Sequence, residues 1–101
     1  MPRYMILKPV FVRANGEPSA RLHPAGSEIV FDGVPSAVMA ALDVKAREAK
    51  RKTADGRHPD AVRHAQQTER ILRAKLSRSL ARRLADAEAK MDRQEAARAA
   101  S

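Results

Sequence analysis

The sequence predicts an α+β protein: a small N-terminal β-hairpin module forming an incomplete SH3-like sheet, then a capping helix and a long, basic, amphipathic C-terminal helix. Three observations carry this. Residues 3–13, RYMILKPVFVR, and residues 27–31, SEIVF, are strand-forming runs separated by turn signals. From residue 35 onward helix formers dominate. Beyond Pro35 the chain holds one Gly, Gly56, and one Pro, Pro59, which divide the helical region in two.

Taken in order, residues 1–34 form the hairpin module. Tyr4 and Ile6 alternate with Met5 and Leu7, so the first strand shows an apolar side chain to each of its faces. Pro9 has no N–H to donate, which makes this strand an edge or breaks it there. Asn15-Gly16 and Pro24-Ala25-Gly26 read as turns, and Asp32-Gly33 ends the second strand. Pro35 suits a helix start, and residues 35–52 follow as a helix whose apolar first half covers the sheet. Residues 53–58 are a turn. Pro59 opens a helix over 59–97, and residues 98–101 are a frayed end. At 1.5 Å per residue a helix of that length spans about 55–60 Å, too long to lie on so small a sheet.

The composition bounds the function. The chain has 101 residues, two Phe, one Tyr, no Trp and no Cys. Disulfides and cysteine-based zinc sites are therefore excluded, and the core is small. No apolar run approaches the roughly 20 residues of a membrane span, and Lys8-Pro9 interrupts the one stretch resembling a leader, so a soluble, unprocessed protein without a membrane partner is expected. The net charge is +8, with ten Lys/Arg and six Asp/Glu in each of residues 1–57 and 58–101. That favours acidic partners without choosing among them.

On the C-terminal helix Val62, Ala65, Leu72, Leu76, Leu80, Leu84 and Met91 share a face and predict a seam for partner helices. Arg70 to Ala85 carry six basic residues and no acid. Lys50, Arg51, Lys52, Arg70, Lys75, Arg78, Arg82 and Arg83 are thus candidates for phosphate or acidic-partner contacts. No aromatic residue is interleaved, which excludes base stacking on this helix. No phosphate-cradling glycine motif and no HExxH occurs, and Asp60–His64 is an isolated i, i+4 pair. Nothing assembles a nucleophile, base and pocket, so no catalytic residue, metal ligand or cofactor is expected.

Residues 4–42 resemble a group of small tailed-bacteriophage proteins. In those a Y-x-V-L-x-P strand is followed by a P-G-x-x-V hairpin and a short helix of small residues. Here the matching residues are Tyr4-Met5-Ile6-Leu7-Lys8-Pro9, then Leu22 to Phe31 with Pro24-Ala25-Gly26 in place of the Pro-Gly pair, then Pro35 to Leu42. The resemblance implies a non-enzymatic structural or assembly component of a head, neck or tail, located in the virion or in the host cytoplasm before assembly. Its partners would be other protein chains, as a homo-oligomer or with virion proteins. The rival reading is a small basic accessory protein that contacts nucleic-acid phosphates through the C-terminal helix. A groove-occupying inhibitor or adaptor is a third.

Overall fold

The computed structural model describes residues 1–100. Five short strands precede three helices: β1 Arg3–Ile6, β2 Val10–Val12, β3 Arg21–His23, β4 Glu28–Val30, β5 Met39–Ala41, α1 Val44–Asp55, α2 Pro59–Ala74 and α3 Arg78–Ala100. The class is α+β and the last helix is the longest, as the sequence predicts.

β1 is the centre of the molecule. It lies between β4 and β5 in an antiparallel three-stranded sheet of order β4-β1-β5, with Tyr4 opposite Ile29 and Ala41. Both its faces are covered, which explains the uninterrupted apolar run YMIL. Tyr4 and Ile6 point into a cluster with Ala14, Ile29, Met39 and Ala46. Met5 and Leu7 point the other way, into a cluster with Ala40 and Leu84. Lys8-Pro9 interrupts the strand as expected. The chain then turns into β2, which pairs antiparallel with β3 as a separate ribbon in the register Val10–His23, Phe11–Leu22, Val12–Arg21.

Gly16 and Gly26 hold the two turns, with φ of +85° and +90°. The Gly26 N–H donates to the Ile6 carbonyl at 2.7 Å, and the Ile6 N–H to the Ser27 carbonyl at 2.8 Å. This second turn is therefore laced to β1. The first is held by Glu17, whose carboxylate accepts the Ala14 N–H at 2.8 Å, meets the buried His23 ring Nε2 at 2.9 Å and pairs with Arg21. The Arg21 hydrogen bond, assisted by those from Ala14 and His23, holds the Glu17 carboxyl down to about 2 against an opposing effect of burial. A carboxyl depressed from 4.5 stabilises the fold at pH above 4.5, and that contribution disappears as pH falls through 2. The Ala14 amide resonance is expected to titrate with a midpoint near 2 and to lose that step in Glu17→Gln. A midpoint near 4.5 would show that the loop is not organised around this carboxylate.

Several element boundaries differ from the sequence reading, and the helix expected to end at residue 52 runs to Asp55, into the expected turn over 53–58. The helix expected over 35–52 begins only at Val44. Residues 39–41 instead extend β1's second edge as β5, Pro35 is buried, and Asp43 caps α1 by accepting the Ala46 N–H at 2.8 Å. The hairpin module therefore reaches past residue 34 to Ala41. Helix-forming residues become a strand here because β1's free edge supplies hydrogen bonds that propensity cannot weigh. The helix expected over 59–97 is two helices, broken at Lys75–Ser77. Its start at Pro59 is as expected, and the His58 ring Nδ1 accepts the Asp60 N–H at 3.1 Å. Ser77 starts α3, with its Oγ 3.3 Å from the Leu80 N–H and its carbonyl 2.9 Å from the Ala81 N–H. The break lets α3 return along the sheet, so the molecule measures 41 × 33 × 29 Å. Residues 98–100 are helical rather than frayed, and Ser101 lies outside the described residues.

Candidate functional site

The leucine seam exists, and its counterpart is the chain's own sheet. Leu84 is 3% exposed and packs with Met5, Leu7 and Ala40, while Leu72, Leu76 and Leu80 pack half-buried around that cluster. Met91 is buried further along α3. The break at residues 75–77 leaves Leu72 on α2, Leu76 in the turn and Leu80 and Leu84 on α3, and all four reach the Met5–Leu7 face of β1. This corrects the expectation that the stripe as a whole serves partner helices. Val62 and Ala65, its first members, are half-buried and line a groove instead.

That groove is a cavity of about 760 Å³ lined by α1 and α2, with Glu88 and Met91 of α3 and the Pro35–Ala37 segment completing the lining. Arg47, Lys50 and Arg51 of α1 line it, with Arg57 just beyond. Arg70 and Arg73 face them from α2. Only two carboxylates, Glu69 and Glu88, share the lining. Lys50 reaches in from α1, donating to the Met39 carbonyl at 2.6 Å and pairing with Glu69. Burial, with the Arg73 guanidinium near it, holds the Lys50 ammonium down to about 8. Arg73 pairs with Glu88 at 2.9 Å, while its Nε is buried without a hydrogen-bond partner among the described residues.

The basic candidates separate into two groups. Lys50 pairs with Glu69, Arg51 with Glu95 at 3.2 Å, and Arg83 with Glu28 at 3.6 Å. Lys52, Arg70, Lys75, Arg78 and Arg82 are exposed and have no ion pair among the described residues. Lys75, Arg78 and Arg82 lie at or next to the α2–α3 turn. Arg70 is apart, on the groove. Asp92 and Glu95 take Arg47 of α1 at 2.8 and 3.2 Å, which clamps α1 to α3. Hydrogen bonds from Arg51 and Arg47 keep Glu95 below the usual carboxylate range, with burial opposing them. Asp60 pairs with Arg63 at 2.6 Å rather than with His64, which is exposed.

Sequence reasoning missed the most exposed apolar pair. Phe11 and Leu22 are cross-strand partners on the β2–β3 ribbon, 69% and 59% exposed. Their ribbon neighbours Val10, Val12 and His23 turn inward, and Val10 and Val12 pack on the Tyr4–Ile6 cluster. The alternation of Val10, Phe11 and Val12 is the signal for this. One of the two faces of a V-F-V strand must point outward, and with Val10 inside the outward residue is the largest one.

No group of three or more His, Cys, Asp or Glu among the described residues is arranged to hold a metal ion, and no helix is long and apolar enough to cross a membrane. No family model matches the chain, and no curated protein and no solved structure shows significant similarity to it.

Proposed function

We propose that the protein is a non-enzymatic assembly component, a bacteriophage virion protein of the head, neck or tail, that docks to partner chains through its hairpin module. The observation that carries this reading is the exposed Phe11–Leu22 pair. Cross-strand aromatic–aliphatic pairs are ordinarily packed. Here the pair stands on a two-stranded ribbon, the kind of element that gains stability when a further strand or surface covers it. Arg13 and Arg21 stand beside it, exposed but turned to Glu17, Arg21 to its carboxylate and Arg13 to its carbonyl at 2.8 Å, so the apolar pair itself is the feature a partner would cover. The resemblance of residues 4–42 to small tailed-phage proteins points the same way.

Phe11→Ser with Leu22→Ser is expected to leave the stability of the isolated chain within about 0.5 kcal/mol of the parent. The same double variant is expected to abolish incorporation into particles, measured by mass spectrometry of purified virions. Normal incorporation of the variant would contradict docking through the ribbon. Genes for capsid, portal or tail proteins are expected beside this one, and a neighbourhood of metabolic genes would contradict the virion assignment.

A second reading, phosphate contact by a basic accessory protein, is favoured by Lys75, Arg78 and Arg82, which lie at or next to the α2–α3 turn without carboxylate partners among the described residues. Binding to duplex DNA is expected to fall steeply with salt on that reading, and neutralising these three residues to flatten the slope.

A further inference from the structure

The groove between α1 and α2 has features that stabilising the fold does not require. α2 buries no residue fully, and its half-buried Val62 and Ala65 line the groove. The lining carries six cationic side chains and two carboxylates. Glu69 and Glu88 are already engaged by Lys50 and Arg73, and Arg47 and Arg51 are satisfied by Asp92 and Glu95. That leaves Arg57 in the α1–α2 turn and Arg70 on α2 without an ion pair among the described residues. The Nε of Arg73 lies buried 4.0 Å from a Glu69 carboxylate oxygen, an ion pair too long for a hydrogen bond. An occupant that answers this lining presents carboxylates to Arg57 and Arg70 and apolar side chains to Val62 and Ala65, above the buried Met91. No aromatic residue lines the groove, so a stacked base has no platform there.

We propose that this groove is a docking site for an acidic, apolar-faced segment of a partner protein. The twelve residues of α1 make a trough about 18 Å long, which suits two to three turns of an amphipathic helix laid between α1 and α2. The inference goes beyond the ribbon reading and uses different residues, so either can fail without the other.

Of the four methionines only Met91 lines the groove, so its methyl group reports occupancy directly. The test uses the full chain with ¹³C-methyl methionine. It is titrated with a synthetic peptide of about three helical turns carrying leucines at helical spacing and glutamates at the flanking positions. The Met91 methyl resonance is expected to shift saturably while those of Met5 and Met39 stay. Replacing the peptide's glutamates by glutamine is expected to weaken binding by at least about tenfold, as is Arg57→Gln with Arg70→Gln in the protein. Neither arginine has an ion pair to lose among the described residues, so that variant is expected to keep its fold. Phe11→Ser with Leu22→Ser is expected to bind the peptide as the parent does. Equal affinity for the two peptides, or no Met91 shift with the acidic one, would overturn the proposal. A Met91 shift caused by duplex DNA, or by laurate as a small carboxylate amphiphile, but not by the peptide would overturn it too.

Discussion

Replacing Leu84 by alanine is expected to destabilise the isolated chain by about 2–5 kcal/mol, read from denaturant unfolding. Leu84 is 3% exposed and holds Met5, Leu7 and Ala40 on its side of the sheet. The half-buried Leu72, Leu76, Leu80 and Leu42 surround that contact. Truncation leaves a cavity that neighbours on a fixed sheet cannot fill, so both the transfer and the cavity contributions are lost. Small domains have only about 5–15 kcal/mol in all, and a change of this size removes a large share of it. A seam facing another chain would give a different result: unchanged stability of the isolated chain and weaker association. The two outcomes separate an internal seam from an external one in a single substitution.

Gly26→Ala is expected to cost about 1–3 kcal/mol. Two effects add at this turn. Gly26 has φ of +90°, a conformation that residues with a Cβ rarely adopt. A Cβ there would also meet the Leu80 methyl carbons at 2.9 and 3.0 Å. Those carbons are the far end of a flexible side chain, so Leu80 shifts at modest cost and the backbone strain dominates. The coupling is testable by a double-mutant cycle with Leu80→Ala. The Gly26 penalty is expected to shrink in the Leu80→Ala background without vanishing. Full additivity would show that Leu80 does not lie over the turn.

What the sequence disclosed and withheld follows from the range of the interactions involved. The alternation of Tyr4, Met5, Ile6 and Leu7, the break at Pro9, the glycine turns and the helix start at Pro59 are local, and each was readable from its own few residues. β5 was not. Met39-Ala40-Ala41 belong to a run of helix formers and become a strand because Tyr4, Met5 and Ile6, far away in sequence, offer them a free edge. The break between α2 and α3 lacks the Gly or Pro that usually marks one. Ser77, a favoured capping residue, was its only local sign. The leucine stripe was legible as a stripe. Its direction was not, because spacing shows which residues share a face and never what covers them. The groove is less legible still. Arg57 and Arg70 carry no pattern of their own, and their lack of partners shows only after Arg47, Lys50, Arg51 and Arg73 have taken theirs. The Glu17 carboxylate, holding Ala14, Arg21 and His23, is a surface-type residue made structural by the turn it closes.

α2 and α3 fold back on the chain's own β1, and the ribbon and the groove stay uncovered. Methyl cross-relaxation between Leu84 and Met5 tests this folding back most directly, in a sample where labelled chains are diluted into a large excess of unlabelled ones. An intramolecular contact gives cross-peaks whose intensity per labelled chain does not change on dilution, and that is the result expected. Cross-peaks that fade in proportion to the dilution would show that Leu84 packs on a neighbouring molecule, and would contradict the account.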